Sequence, residues 1–172
     1  EAIIKNKGKK TNEEVFKGYD SKEAFAEELL PILFDPEIAA KRINLNPKDD
    51  IIVTSAMNYY EGVTQKEAEH FYDSIEDDND PFPVSYGLNT KLVKENGTIR
   101  EKVWKTGGMY SPAIEKIVYW LNKAVTVAEN DQQKAILQKL VSYYHTGDLA
   151  LFDEYNILWV NEFSSHIDFI NG

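Results

Sequence analysis

Gly107-Gly-Met-Tyr-Ser-Pro-Ala-Ile-Glu-Lys-Ile-Val-Tyr-Trp-Leu-Asn-Lys-Ala-Val-Thr-Val-Ala-Glu-Asn130 carries the start, stop and periodicity signals of a helix that buries one face. Ser111 is the N-cap candidate, because its hydroxyl can accept from an otherwise unpaired first-turn amide, and Pro112 suits the first helical position, where no amide proton is needed. Ile114, Ile117, Val118, Leu121 and Val125 recur at helical spacing, with Tyr119 and Trp120 widening the apolar face and Asn130 as the stop. A face of that width has to be covered by other elements.

The sequence after it supplies candidates. Asp131 is placed to cap a helix through Ala135, Ile136, Leu137, Leu140, Val141 and Tyr144 that ends at Thr146-Gly147. A further helix is expected over 148–160 with Leu149, Phe152, Leu158 and Trp159, and the remaining sequence carries Phe163, Ile167, Phe169 and Ile170. Before the central stretch, Leu88-Asn-Thr-Lys-Leu-Val-Lys-Glu-Asn-Gly-Thr-Ile-Arg-Glu-Lys-Val-Trp104 reads as a β-hairpin about Asn96-Gly97, whose positive φ angles suit a type I′ turn. Its alternation is incomplete, which points to an edge or a piece of a larger sheet.

Earlier still, Thr64 and Glu67 make a capping box for a helix through Ala68, Phe71, Tyr72 and Ile75, and Asp20 with Glu23 makes another for a helix through Phe25, Leu29, Leu30, Ile32 and Leu33. Pro31 should kink or end that helix. Asp35-Pro36 can open a short helix through Ala39 and Ala40, and Ile51-Ile-Val-Thr54 is either a short strand or a loop. The expected fold is therefore α+β, predominantly α-helical, with one hairpin and room for one further short strand. Residues 1–19 read as a loosely ordered lead-in, and 20–172 as a single helical α+β domain.

Composition removes several function classes. A formal charge of -10 opposes a sequence-independent grip on nucleic acid or anionic lipid, which needs concentrated positive charge. The absence of cysteine excludes disulfides, thiolate zinc sites and a cysteine nucleophile. No apolar run approaches the ~20 residues of a membrane-spanning helix. Glu1 follows neither an initiator methionine nor a signal-like segment, so the chain is expected to be processed or cut from a longer one.

Reactive groups are sparse. His70, His145 and His166 are far apart in sequence and none sits in a His-Glu-x-x-His pattern. The acidic run Glu76, Asp77, Asp78 and Asp80 lacks the alternation, glycine and closing glutamate of a calcium loop. No catalytic, cofactor-binding or metal-ligating residue is assigned. Tyr59 and Tyr60 are the candidates for a peptide-binding surface, against a competing reading in which they join Phe71 and Tyr72 in the core.

Four blocks stand in order along the chain: Asn58-Tyr-Tyr-Glu-Gly-Val-Thr-Gln-Lys-Glu-Ala-Glu69, Pro83-Val-Ser-Tyr-Gly-Leu-Asn-Thr-Lys-Leu-Val-Lys-Glu-Asn-Gly97, Ala113-Ile-Glu-Lys-Ile-Val-Tyr-Trp-Leu-Asn-Lys-Ala124 and Tyr143-Tyr-His-Thr-Gly-Asp-Leu149. Together they resemble the dipeptidyl peptidase III family, in its bacterial branch. The likeness extends through Trp159-Val160 to Ile167-Asp-Phe-Ile-Asn-Gly172, and from about Asp20 to the end. It implies a two-lobed zinc exopeptidase that removes dipeptides from the amino terminus of oligopeptides, with this chain in the lobe that lacks the zinc.

The family's His-Glu-x-x-Gly-His motif is absent, and Gly172 would be the first residue of its Gly-Phe-Ile-Glu-x-Tyr segment. The resemblance thus implies a fragment of the amino-terminal half, inactive alone, whose parent binds zinc and whose partners are an oligopeptide substrate and the rest of the parent. It favours a cytoplasmic location and leaves a secreted or periplasmic one open. Separated from its parent, the piece is expected to self-associate through the hairpin edge or the apolar tail. The competing class is a self-contained helical peptide- or protein-binding module.

Overall fold

A computed structural model describes residues 18–171, so the lead-in up to residue 17 and Gly172 lie outside it. The described residues hold five helices and one three-stranded sheet, the α+β, mainly helical class expected from the sequence. They fall into two compact units with the chain boundary between Met57 and Asn58. No helix among them is long and apolar enough to cross a membrane.

In the first unit, α1 spans Lys22–Phe34. Its cap is Ser21 rather than Asp20: the Ser21 hydroxyl accepts from Ala24 N at 3.0 Å. Pro31 does not end the helix, because the carbonyl of Pro31 still accepts from Asp35 N at 2.8 Å. Ile32 and Leu33 are exposed, so the apolar side is narrower than the sequence suggests. The segment after Pro36 makes turns instead of a helix. Residues 51–54 form no strand either: Asp50 Oδ1 accepts from Ile52 N and Val53 N, and Thr54 N donates to Asp50 O, which closes a single helical turn.

The second unit begins with β1 (Tyr60–Glu61), then α2 (Gln65–Asp73), β2 (Thr90–Glu95), β3 (Thr98–Val103), α3 (Ser111–Val125), α4 (Asp131–Thr146) and α5 (Leu149–Val160). The capping box at Thr64 and Glu67 forms as expected. Helix α2 stops at Asp73 and does not reach Ile75. Asn96 and Gly97 take φ 51° and 80°, which closes the hairpin. Strand order is β1-β2-β3, with β1 parallel and β3 antiparallel to β2. The extra strand exists, but at Tyr60–Glu61.

Register explains the sheet's two faces. Leu92 stands opposite Tyr60 and Glu101, and Val93 opposite Glu61 and Arg100. Leu92 and Val93 are both fully buried although they point to opposite faces, as a central strand requires. Helix α2 covers the Leu92 face, where the Tyr72 hydroxyl donates to Glu101 Oε1 at 3.2 Å and Thr90 Oγ1 donates to the same oxygen at 2.7 Å. Burial, with the Glu101 carboxylate beside it, pushes the Tyr72 hydroxyl up to about 12.

The helical layer is organised by α4, not by α3. Gln133, Ile136, Leu137, Leu140 and Tyr143 of α4 are all buried, and Ile136, Leu140 and Tyr143 with Tyr155 of α5 make a hydrophobic core, against which Leu121, Phe152 and Phe169 pack. Ile114 and Val118 of α3 are buried as expected, whereas Ile117, Tyr119 and Trp120 are exposed. The apolar stripe of α3 is thus one residue wide per turn at its core side, and its width in sequence overstates what α4 covers.

Two caps shift by one residue. Tyr110, in the left-handed region at φ 61°, precedes α3, and Ser111 is its first helical residue. The Ser111 hydroxyl still accepts from Gly107 N at 2.6 Å and donates to Glu115 at 2.7 Å. Asn130 is the cap of α4, accepting from Gln133 N at 2.8 Å, in place of Asp131, and α3 has already ended at Val125. Asp148 caps α5, and Gly147 ends α4 at φ 73°.

Candidate peptide-facing surface

The sheet face opposite α2 buries Val93 and carries exposed aromatic side chains at one end. Successive residues in a strand point to opposite faces, so Tyr59 and Tyr60 cannot serve one surface. Tyr60 is half-buried on the α2 side with Leu92 and Glu101. Tyr59 faces the other way, is 46% exposed, and lies over the Trp104 ring with centroids 5.5 Å apart. The core reading therefore suits Tyr60, while Tyr59 keeps its place as a surface candidate.

Trp104 follows β3 with the parity of Arg100 and Lys102, which brings it to this same face. Its N donates to Asn89 O at 2.8 Å, which extends the hairpin ladder by one residue. Tyr110 stands edge-on to it at 5.7 Å and is 47% exposed. Asn58 Nδ2 donates to the Tyr110 hydroxyl at 2.8 Å and closes the row. Tyr59, Trp104 and Tyr110 thus make an aromatic strip at one end of the face. Sequence reasoning missed Trp104, Tyr110 and Asn58; parity counted from the Asn96-Gly97 turn is the signal that places Trp104 there.

Two features mark the strip as held under constraint. The Trp104 Nε1–H is buried with no acceptor among the described residues, a deficit of about 1–3 kcal/mol for a typical buried donor. Tyr110 keeps a positive φ, which a side chain with a Cβ adopts at a cost of roughly 1–3 kcal/mol. The ring contact with Trp104 and the hydrogen bond from Asn58 hold it there.

Ion pairs occupy the rest of the face. Lys91 pairs with Glu61 across β1 and β2, while Lys102 and Arg100 both pair with Glu95 across the hairpin. The hydrogen bond from Lys91 holds the Glu61 carboxyl below its ordinary value, and those from Lys102 and then Arg100 do the same for Glu95. Both carboxylates stay ionised near neutrality and are already matched. Such a face can bind and orient a chain by stacking and polar contact.

The histidines do not converge. His145 Nδ1 is 3.0 Å from Thr106 Oγ1, His166 Nδ1 is 2.9 Å from Glu129 Oε2, and His70 lies in the last turn of α2. Among the described residues no three histidine, aspartate or glutamate side chains are grouped to hold a metal ion. The acidic residues after α2 are engaged locally, Asp77 by Asn79 and Asp80 by Phe82 N.

Comparison with known proteins gives one positive finding. No curated protein matches the chain. Residues 56–172 match the sequence model described as peptidase family M49. The match starts two residues before the second compact unit and includes every block that carries the resemblance, while 20–55 fall outside it. The chain belongs to peptidase family M49, the dipeptidyl peptidase III family.

Proposed function

We propose that this chain builds one wall of the peptide cleft of a zinc-dependent exopeptidase that releases dipeptides from the amino terminus of oligopeptides. The observation that carries the reading is the family match over residues 56–172. The aromatic strip of Tyr59, Trp104 and Tyr110 supports it, because packed rings beside a sheet offer an extended peptide apolar contact without selecting one sequence.

The described residues do not fit a zinc site, since no metal-ligating group of three is assembled among them. No chemical step is assigned to them. Their work is to bind and orient. Zinc, when bound by the complete enzyme, would polarise the scissile carbonyl and the attacking water.

The test uses the complete gene product that carries this chain, with a dipeptide-linked chromogenic amide as substrate. Turnover that a chelator abolishes and added zinc restores is expected, and the 172-residue chain alone should give none. Chelator-insensitive turnover, or release of single amino acids in place of dipeptides, would overturn the reading.

A further inference from the structure

Residues 162–171 form neither helix nor strand, so their backbone groups have no ladder to join. Side chains take that role. Glu129, between α3 and α4, accepts from Ile167 N through Oε1 at 2.7 Å, and from both His166 N and His166 Nδ1 through Oε2 at 2.9 Å. Gln133 of α4 is buried; its Oε1 accepts from Glu129 N and its Nε2 donates to Ile167 O, each at 2.8 Å. Glu129 and Gln133 together act as the edge of a strand, satisfying two amides and a carbonyl at adjacent residues.

The remaining ties are one backbone bond, from Glu162 N to Trp159 O at 3.1 Å, and bonds between side chains. Asn130 Nδ2 reaches the Ser164 and Ser165 hydroxyls, Trp159 Nε1 donates to Asp168, and the Tyr144 hydroxyl donates to Asn171. Beneath this strap Phe169 packs on the α4 and α5 core. Beside it lies an apolar groove of about 530 Å³, with Ile167 and Ile170 on one wall and Trp120 and Leu121 of α3 on the other.

We propose that Glu129 is the clasp of this strap: while its carboxylate is ionised it holds residues 162–171 as one wall of the groove, and when it is protonated or replaced the strap comes away and the groove opens. One ionised group outside the strap collects three of its donors there, whereas the three donors that Glu162 collects all lie within the strap itself. Protonation removes an acceptor and adds a hydroxyl that faces donors.

The ionisable groups nearest Glu129 along the two segments that meet there are His166 and Asp168 on the strap, Glu162 at its start, and Asp131 and Lys134 in the first turn of α4. Asp168 is engaged by Trp159 and Phe169 N, and Glu162 by Ser164 and Ser165. Among the described ionisable groups only His166 reaches the Glu129 carboxylate, and protonated it adds an ion pair to the clasp. The amides of His166 and Ile167, then the His166 ring, hold Glu129 below its ordinary value of 4.5. The clasp is therefore whole above that value and fails as pH falls through the lowered one.

Hydrogen exchange in the full chain tests this. At neutral pH, the His166 and Ile167 amides should exchange at least about tenfold faster in Glu129→Gln and Glu129→Ala than in the wild type, while α4 amides from Ile136 to Leu140 stay within about twofold. In the wild type, strap protection corrected for the intrinsic rate should fall as pH drops below the ordinary carboxylate value of 4.5, before α4 loses its own, and Glu129→Gln should show no such step. Strap protection unchanged in both variants, or strap and α4 losing protection together, would overturn the proposal.

Discussion

Asn89, one residue before β2, donates its side-chain amide to the Gly147 carbonyl at the end of α4, at 2.9 Å across a gap of 58 residues. Asn89 is almost fully buried and Gly147 partly so, and this bond joins sheet and helical layer. Beside it Thr106 N donates to Tyr144 O at 3.0 Å. Asn89→Ala leaves the partly buried Gly147 carbonyl without its donor and should destabilise the chain by about 0.5–1.5 kcal/mol in urea denaturation. A loss below the error of the measurement would show that the two layers are joined elsewhere.

Gly147 itself is a second test of that joint. Its φ is 73°, and a Cβ placed there would sit 2.4 Å from Val103 Cγ1. Gly147→Ala should cost about 1–3 kcal/mol through the left-handed backbone and the clash combined. Val103→Ala removes one of the two causes, so the double variant should be less destabilised than the two single losses added together. Additive losses would place the whole effect in the backbone.

The burial found in the helices separates two leucine- and isoleucine-sized positions that look alike in sequence. Leu140 is 1% exposed in the α4 core, and Ile117 on α3 is 41% exposed. Leu140→Ala should lose about 2–5 kcal/mol. Ile117→Ala should stay within about 0.5 kcal/mol, as surface changes do. Equal losses would mean that α3, not α4, is the centre of the layer.

The α2 cap has a pH signature. Lys94, then the backbone amide and hydroxyl of Thr64, hold the Glu67 carboxyl down to about 2. Its folded value is depressed, so its contribution is fully present above the ordinary value of 4.5 and is lost as pH falls through about 2. Stability against pH should show that acid-side loss in the wild type and a smaller one in Glu67→Gln. Added salt should weaken the Lys94 part, because the pair is partly exposed to solvent. Identical profiles would remove Glu67 from the account.

Local chemistry made much of this fold legible in advance. Asn96-Gly97, Thr64 with Glu67, Thr146-Gly147 and Asp148 each form the feature that their types demand. Where two capping residues stand side by side, as Asp20 and Ser21 or Asn130 and Asp131, backbone direction selects between them, and sequence alone does not give that direction. The two-residue strand β1 is too short to show a period, and its partner is set by tertiary packing. The aromatic strip was half legible. Tyr59 stands out, but Asn58 and Tyr110 are 52 residues apart in sequence and meet in the fold, where Trp104 packs against both Tyr59 and Tyr110.

The claim that this face lines a peptide cleft is tested most directly by steady-state kinetics of the complete gene product carrying Tyr59→Ala. Tyr59 is half-exposed, so its removal spares the core. The KM for a dipeptide-linked amide should rise several-fold, by about the 0.5–1.5 kcal/mol of one lost aromatic contact, with kcat and bound metal unchanged. An unchanged KM, measured with native metal content and thermal stability, would contradict the account.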